Sequence, residues 1–217
     1  SACASWADYD NDGDLDLFVG AESGGINRLY RNNGNGAFTR ITSGPVASEG
    51  GSSVGCAWGD YDNDGDLDLF VANFDGKCNY LYRNLGNGTF EKVQAGQIVT
   101  DASHSVSCCW GDYDNDGFLD LFVANYKGQN DFLYHNNGDG TFTKITSGSI
   151  VNDRRNSRGC AWGDYNNDGF LDLFVTSEVG EPNSLYRNNP NMNHWLKLKL
   201  IGTSSNRAAI GAKVRVA

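Results

Sequence analysis

An acidic stretch of twelve residues that occurs four times constrains this chain more than any other feature. The copies begin at Asp8, Asp60, Asp112 and Asp164, so each lies 52 residues after the previous one. The first two copies read DYDNDGDLDLFV, the third reads DYDNDGFLDLFV and the fourth reads DYNNDGFLDLFV. Self-similarity at a fixed period of this length predicts one repeat architecture.

The crowded carboxylates of each copy predict a bound cation. Two carboxylates about 4 Å apart repel each other by roughly 4 kcal/mol at an effective dielectric constant of about 20. A loop with four of them therefore needs a cation or extensive protonation. Hard oxygen ligands without Cys or His favour Ca²⁺ over zinc or copper. The sequence predicts about four calcium ions, one for each acidic loop.

The spacing within the loop differs from that of an EF-hand. Positions 1, 3 and 5 offer side-chain oxygens, Gly at position 6 permits a sharp turn, and position 7 offers its carbonyl. An EF-hand has a bidentate Glu at position 12, whereas position 12 is Val in all four copies and the last acid is at position 9. The Leu-Phe-Val that follows is typical of a strand. We therefore expect a short loop that closes onto a strand.

The repeats are predicted to contain four strands joined by tight turns, except that in the fourth repeat Pro190 and Met192 replace the turn glycines and no matching fourth strand follows. In the second repeat we expect strands at 53–58, 67–73, 79–83 and from 89 onward. Asn-Gly and Asp-Gly turns between alternating strands indicate hairpins, and no segment has convincing helical periodicity. Four strands per repeat describe a propeller blade. The predicted fold is therefore an all-β propeller of four-stranded blades, with four repeats visible, as part of a larger or assembled propeller.

The pattern DxDxDGxxD, followed by LYRNLGNGTF in the second repeat, resembles the FG-GAP/VCBS repeat family, whose calcium-binding blades also occur in integrin α-subunit propellers. The resemblance covers residues 1 to about 190. It implies a propeller of usually about seven blades, whereas only four repeats are present here. The side-chain ligands that it implies are Asp8, Asp10, Asp12, Asp16, Asp60, Asp62, Asp64, Asp68, Asp112, Asp114, Asp116, Asp120, Asp164, Asn166, Asp168 and Asp172. The carbonyl ligands that it implies are those of Asp14, Asp66, Phe118 and Phe170.

A second segment follows the blades at 191–217. Leu196, Leu198 and Leu200 alternate with Lys197 and Lys199, which predicts a strand with one buried face. The segment resembles the start of an ASPIC/UnbV domain. Two strands are too few to be stable alone, so we expect them to complete the last blade, to pack on it or to pair with another chain. The last option gives the hypothesis of self-assembly through these C-terminal strands.

Aromatic residues and cysteines also recur at the repeat period. The Trp, Tyr and Phe columns are interpreted as packing between blades, and Trp6, Trp58, Trp110 and Trp162 form the first of them. Cys56, Cys108 and Cys160 form another column, for which we expect small buried thiols. The other three cysteines lie outside this column, and the sequence does not define their pairing.

Charge and motif content restrict the function. The formal net charge is −10, and 15 of the 27 acids are predicted ligands, so the acidity reflects metal sites. The sequence has no basic stripe of the kind that binds nucleic acid. Its apolar runs are too short to span a membrane. It also lacks the nucleophile–base and phosphate-loop motifs that would predict catalysis. We therefore expect no catalytic residues. The alternative to a non-enzymatic module is the propeller domain of a carbohydrate-active enzyme such as a polysaccharide lyase.

The chain starts within a repeat without Met, which suggests a processed chain or a fragment.

The loops opposite the acidic loops vary between repeats, as is typical of recognition surfaces. Tyr126, Lys127, Arg154 and Arg155 combine aromatic and basic character there, and we expect them to bind a protein or glycan partner. Calcium modules of weak affinity require extracellular calcium. The sequence therefore predicts a secreted or cell-surface module for adhesion, glycan binding or assembly.

Overall fold

The computed structural model describes residues 2–189 and 191–193. Four antiparallel sheets follow one another along this part of the chain, one from each repeat. The predicted all-β class and the four-stranded blades are confirmed. The strands are β1 (Cys3–Ala7), β2 (Asp16–Gly20), β3 (Arg28–Asn32), β4 (Phe38–Ile41), β5 (Ser53–Gly59), β6 (Asp68–Asn73), β7 (Lys77–Cys78), β8 (Tyr80–Asn84), β9 (Phe90–Lys92), β10 (Ala102–Ser103), β11 (Ser105–Gly111), β12 (Asp120–Asn125), β13 (Phe132–Asn136), β14 (Phe142–Ile145), β15 (Ser157–Gly163), β16 (Asp172–Ser177) and β17 (Ser184–Tyr186).

Within each blade the strands lie in chain order, and each one pairs with the next. Blade 1 contains β1 to β4, blade 2 contains β5, β6, β8 and β9, and blade 3 contains β11 to β14. Blade 4 has three strands, β15 to β17, among the described residues. The short strands β7 and β10 pair with each other and link blade 2 to the start of blade 3. Apart from 191–193, the predicted C-terminal segment lies outside the described residues.

The second strand of each inner blade is central to the packing. Every residue of β6 and of β12 is buried. Each blade packs against the next one along the chain, so an inner blade is covered on both faces. This double cover explains the continuous apolar run Leu-Phe-Val-Ala in both strands, because neither face alternates with solvent. No closed ring is detected in the part of the chain that the structure describes.

Short helical turns occupy the connections between blades, where the sequence predicted none. They are α1 (Pro45–Ser48), α2 (Gln97–Thr100) and a 3-10 turn at Ser149–Val151. Each follows a glycine with positive φ, and each buries an apolar side chain such as Val46 or Ile98. A single turn is too short to produce helical periodicity in the sequence, which is why the prediction missed these elements.

The predicted packing of the tryptophan column holds for three of its four members. Trp58, Trp110 and Trp162 are partly buried and lie against the core clusters between blades. Trp6 instead is 54% exposed, so the prediction is wrong for blade 1. The physical reason is that the described chain places no blade in front of β1.

All six cysteines are free thiols, and five of them, all except Cys78, pack in the core clusters between blades. Cys108 is buried, whereas Cys56 and Cys160 of the same column are partly exposed. The Cys3 thiol of blade 1 contacts Cys56 of blade 2, and Cys109 of blade 3 contacts Cys160 of blade 4. The repeat fold therefore brings together thiols whose proximity was not evident from the sequence.

Candidate metal centres

Each acidic loop connects the first two strands of a blade. The loop of blade 2, for example, runs from the end of β5 to the start of β6. The carboxylate at position 9 is the first residue of the second strand, and its side chain is buried in all four blades. The sheet therefore holds one carboxylate rigidly beneath each loop. These residues are Asp16, Asp68, Asp120 and Asp172.

The loop conformation is fixed by hydrogen bonds from its own backbone. In blade 2, the Asp60 carboxylate accepts hydrogen bonds from the N–H groups of Asp64 at 3.1 Å and Gly65 at 3.0 Å. The Asp64 carboxylate accepts one from the N–H of Asp66 at 3.0 Å. Gly65 has a φ of 96°, which L side chains rarely adopt. The glycine at position 6 thus lets the loop turn back over its own carboxylates.

The buried carboxylate at position 9 is anchored on both oxygens. In blade 2, one oxygen of Asp68 accepts the N–H of Tyr61 at 3.1 Å, and the other accepts the N–H of Asn84 at 2.8 Å. Equivalent bonds occur in the other three blades. Because both donors belong to the backbone, this carboxylate has a fixed orientation below the loop.

Three of the loops bring the acids at positions 1, 3 and 9 together. In each of these loops, one carboxylate oxygen from every residue of the triad lies within 4.8 Å of the other two. The acids at position 5 lie outside these triads, and Asp116 instead groups with Asp114 and His135. The triads are Asp8–Asp10–Asp16, Asp60–Asp62–Asp68 and Asp112–Asp114–Asp120.

The fourth loop is built differently, because Asn166 replaces the acid at position 3. Its side-chain amide donates a hydrogen bond to Asp168 at 2.8 Å. The Asp164 carboxylate still accepts the N–H groups of Asp168 and Gly169, each at 3.0 Å. The backbone N–H of Phe170 lowers the pKa of the Asp168 carboxyl. This loop keeps the shared backbone conformation with one negative charge fewer.

Burial raises the pKa of the position-9 carboxyl groups in the first three blades. The pKa of Asp16 rises to about 6, that of Asp68 to about 8 and that of Asp120 to about 7. Desolvation is the main cause in each case, and neighbouring carboxylates add to it. A carboxylate held in this environment gains from any nearby positive charge. The three loops therefore have the electrostatics expected of a divalent-cation site.

Several oxygens of these triads have no hydrogen-bond partner among the described residues. Asp8, Asp10, Asp62 and Asp114 each have one buried side-chain oxygen without a hydrogen-bond donor. Buried polar atoms are nearly always satisfied, so these unpaired carboxylate oxygens are the atoms that a cation would contact. An all-oxygen donor set of this kind suits Ca²⁺. The residues present therefore fit the predicted metal.

Basic side chains in the third strand, or directly after it in blade 4, contact the loops. The Nε of Arg83 lies 2.7 Å from a carboxylate oxygen of Asp62, and Nδ1 of His135 lies 3.2 Å from one of Asp120. Arg187 lies 3.6 Å from Asp168. The sequence places these residues in one column at the repeat period, and that spacing was the available signal for their shared role.

Neighbouring loops and turns form one continuous face. Gly86, in the Asn-Gly turn of blade 2, packs closely against Asp66 of the acidic loop. A side chain at this position would not fit, because its Cβ would lie 2.5 Å from a carboxylate oxygen of Asp66. The amide of Asn11 donates to Asp66 at 2.6 Å, and that of Asn63 donates to the Gly117 carbonyl at 2.9 Å. The acidic loops of consecutive blades are therefore hydrogen-bonded to each other.

The opposite side carries the residues predicted to bind a partner. The Lys127 ammonium lies 5.3 Å from the centre of the Phe74 ring, whose centroid is 5.0 Å from that of His104 and 6.2 Å from that of Tyr126. The guanidinium of Arg158 lies 4.0 Å from the centre of the Tyr126 ring. We call these five residues the aromatic-basic surface. It brings together two predicted residues and three that the sequence reasoning missed.

The other two predicted partner residues lie beside this surface. The backbone at Arg154 adjoins the loop that carries Lys127. The Arg154 carbonyl oxygen would lie 4.0 Å from a Cβ placed on Gly128 of that loop. Arg155 donates a hydrogen bond to the Pro182 carbonyl at 2.9 Å and pairs with Asp153 at 3.3 Å. Arg155 is therefore engaged within blade 4, and Arg154 is exposed.

A sequence model of the FG-GAP-like repeat matches residues 8–71, 60–123 and 112–175. The chain belongs to the FG-GAP-like repeat family. Each FG-GAP match begins at an acidic loop and ends in the second strand of the following blade. The sequence unit of this FG-GAP chain therefore spans the interface between two blades.

The chain is also similar to longer proteins. It is 27% identical over 213 residues to cartilage acidic protein 1 of Mus musculus. The aligned region covers 92% of this chain and 32% of that protein. The human protein of the same name is 27% identical over 214 residues, with the same coverage. The FG-GAP chain thus spans about a third of the length of the curated relatives it matches.

A solved structure shares the fold. It is that of an Agrocybe aegerita lectin described as recognising non-reducing terminal N-acetylglucosamine. The TM-score is 0.56 at 19% identity, over 92% of this chain and 52% of the lectin chain. This likeness supports the blade architecture of the FG-GAP chain. Among its described residues, no helix is both long and apolar enough to cross a membrane.

Proposed function

We propose that this chain is a calcium-stabilised, non-enzymatic interaction module. The observation that carries the proposal is the set of three carboxylate triads, each with one buried member and with unpaired oxygens. Calcium would be held by the side chains at loop positions 1, 3, 5 and 9 and by the carbonyl at position 7. The fourth loop, with Asn166 in place of an acid, would bind the ion more weakly than the other three.

In this proposal calcium acts through stability. A ligand present at tenfold its dissociation constant stabilises the folded state by about 1.4 kcal/mol per site. Four such sites would contribute about 6 kcal/mol, which is comparable to the whole stability of a typical domain. The ion would thereby keep the blades rigid enough to present a binding surface.

Calcium titration and thermal melting test this proposal. By calorimetry we expect about four ions per chain for the wild type and about three for Asp60→Asn, which removes one charge from a triad. Glu22→Gln, an exposed acid outside the loops, is the matched control and should leave the stoichiometry unchanged. A melting temperature that is the same in calcium and in excess chelator would refute the proposal.

The proposed partner is a glycan or a protein bound at the aromatic-basic surface. Partly exposed aromatic rings beside cations suit sugar rings and anionic groups, and the lectin of similar fold binds a sugar. A glycan array with the wild type and with Tyr126→Ala/Lys127→Ala tests this, with Arg40→Ala on blade 1 as an exposed basic control. Identical profiles for wild type and double variant would contradict the assignment. Cleavage of any array glycan would instead favour the carbohydrate-active enzyme.

The proposed location is outside the cell. Extracellular calcium modules typically have calcium dissociation constants of about 10⁻⁴–10⁻³ M. Sites this weak are filled only where calcium is as concentrated as it is outside the cell. The name of the relatives, which refers to cartilage, agrees with this location. A calcium dissociation constant far below about 10⁻⁵ M would contradict this argument. The predicted self-assembly through 193–217 concerns residues that lie almost wholly outside the described structure, and it remains a prediction.

A further inference from the structure

Blade 3 differs from the other blades at one position that faces its acidic loop. The column that carries Arg31, Arg83 and Arg187 in blades 1, 2 and 4 has His135 in blade 3. The acidic loops themselves contain neither His nor Cys, so their sequence indicates hard oxygen donors alone. The fold therefore adds a nitrogen donor to the loop of blade 3.

The imidazole of His135 lies among the carboxylates of this loop. Its Nδ1 is 3.4 Å from a carboxylate oxygen of Asp114 and 3.2 Å from one of Asp120, and its Nε2 is 3.9 Å from one of Asp116. A ring nitrogen of His135 and one oxygen each from Asp114 and Asp116 all lie within 4.8 Å of one another. Ligands held about 2.0–2.2 Å from a tetrahedral zinc ion are roughly 3.3–3.6 Å apart. These side chains therefore have close to the spacing of ligands around one ion.

Two buried atoms of this group lack a hydrogen bond. Nδ1 of His135 and Oδ1 of Asp114 have no hydrogen-bond partner among the described residues. Asp120 differs, because its two oxygens accept the backbone N–H groups of Tyr113 at 3.1 Å and Asn136 at 2.9 Å. Buried polar atoms are nearly always satisfied, and one cation between the imidazole and the Asp114 carboxylate would satisfy both of these atoms.

The same position has another role in blade 2. There Nε of Arg83 lies 2.7 Å from Asp62, and a terminal guanidinium nitrogen lies 3.6 Å from Asp64. These two acids occupy loop positions 3 and 5, as Asp114 and Asp116 do in blade 3. A guanidinium is always charged and has no acceptor lone pair, so it serves as a counter-ion to the loop. An imidazole nitrogen can instead bind a metal directly.

The donor set of blade 3 favours a different metal from that of an oxygen-only loop. Carboxylates and carbonyls suit calcium, magnesium and manganese, whereas imidazole suits zinc and other later first-row transition metals. Zinc accepts a mixture of imidazole and carboxylate ligands in four-coordinate sites. One histidine nitrogen beside two or more carboxylates is therefore a donor set that zinc fits better than calcium does.

We propose that the loop of blade 3 binds a zinc-class divalent ion through Nδ1 of His135 and the carboxylates of Asp114 and Asp116. Asp114 also belongs to the carboxylate triad of this blade, so zinc and calcium compete for the loop. The assignment rests on the proposed function, in which the acidic loops bind metal, and it gives one of these loops its own metal.

Exchange of the histidine and the arginine between blades tests the proposal. By calorimetry in millimolar calcium, the wild type should bind one zinc ion per chain at this loop. His135→Arg restores the arrangement of blade 2 and should weaken zinc binding at least about tenfold, because even groups that only support a metal ligand contribute that much. Arg83→His, beside Asp62 and Asp64, should create a second zinc site.

Cobalt(II), used in place of zinc, separates this site from the free thiols. Cobalt bound by nitrogen and oxygen gives weak visible bands, whereas thiolate ligands add a strong charge-transfer band. We expect the weak bands alone, and we expect His135→Arg to lose them. His104→Gln is the matched control, since Nδ1 of His104 is also buried without a hydrogen-bond partner, but among the described residues His104 joins no group of metal ligands. It should bind cobalt as the wild type does.

The results also separate this inference from the calcium proposal. Equal zinc binding by wild type and His135→Arg, a thiolate band in the wild type, or the lack of a second site in Arg83→His would each overturn the zinc assignment. Calcium titration of the wild type without zinc tests the proposed function independently. Calcium binding without a zinc site at His135 would overturn the zinc assignment alone, and zinc binding without any stabilisation by calcium would overturn the calcium proposal alone.

Discussion

Asp131 is a buried carboxylate at a position where the other three repeats have asparagine. In all four blades the side-chain oxygen at this position accepts a backbone N–H six residues earlier, and for Asp131 that donor is Asn125 at 2.6 Å. Its other oxygen accepts the Ser157 hydroxyl at 2.8 Å. The repeat therefore requires an acceptor here and not a charge. The equivalent residues are Asn27, Asn79 and Asn183.

We expect Asp131→Asn to stabilise the protein at neutral and alkaline pH. Burial raises the pKa of Asp131 from 3.8 to about 7. Each pKa unit corresponds to about 1.4 kcal/mol, so the ionised carboxylate costs up to about 4 kcal/mol in the folded state. The asparagine keeps the acceptor and removes the charge. A gain of about 2 to 4 kcal/mol would raise the melting temperature of a chain of this size by about 4 to 16 °C.

The sign of the pH dependence follows from the direction of the shift. Because the folded-state pKa lies above the unfolded one, the wild type loses stability as the pH rises from about 4 to about 7. Below pH 4 both states carry the proton and the advantage of Asp131→Asn should vanish. Thermal melts of both proteins at pH 4 and pH 8, in the same calcium concentration, measure this difference.

The chain provides a reciprocal control in blade 2. Asn79 is buried and accepts the Asn73 N–H at 2.8 Å, so Asn79→Asp should introduce the pH dependence that Asp131→Asn removes. The reasoning is refuted if Asp131→Asn shows no gain at pH 8, or if its gain is the same at pH 4.

Three further results are expected. Asn136→Ala removes hydrogen bonds at 2.7 and 3.1 Å and should lower the free energy of unfolding in urea by about 2 to 3 kcal/mol. Its neighbour Asn137 lies in an exposed turn, so Asn137→Ala should lower it by under about 0.5 kcal/mol. Equal losses for the two variants would contradict this. A Cβ added at Gly59 would lie 2.7 Å from the Trp110 ring, whereas one at Gly163 meets no described atom within 4 Å. Gly59→Ala should therefore cost about 1 to 3 kcal/mol through overpacking, while Gly163→Ala should leave the melting temperature unchanged. Calcium affinity should fall between pH 8 and pH 6, because Asp68, with a pKa of about 8, must lose its proton to bind; calorimetry showing a constant affinity would exclude it as a ligand.

The sequence by itself determined the features that depend on local chemistry. The 52-residue period defines the blades, and the apolar run after each acidic loop defines the second strand. The glycine at position 6 and the Asn-Gly turns define where the chain reverses, because only certain residues adopt positive φ at low cost. The acid spacing also placed the carboxylates at positions 1, 3 and 9 together, as found in three of the loops, whereas the acid at position 5 lies outside these triads. None of these features requires knowledge of a distant residue.

The tertiary structure alone decided what each repeat meets at its faces. Trp6 and Trp58 occupy equivalent positions in nearly identical repeats, yet one is exposed and the other is packed against Tyr9. The bond from Asn84 to Tyr9 joins residues 75 positions apart, which no local pattern encodes. Burial is a property of the neighbouring blade as well as of the residue, so a periodic sequence cannot by itself distinguish an inner blade from an end blade.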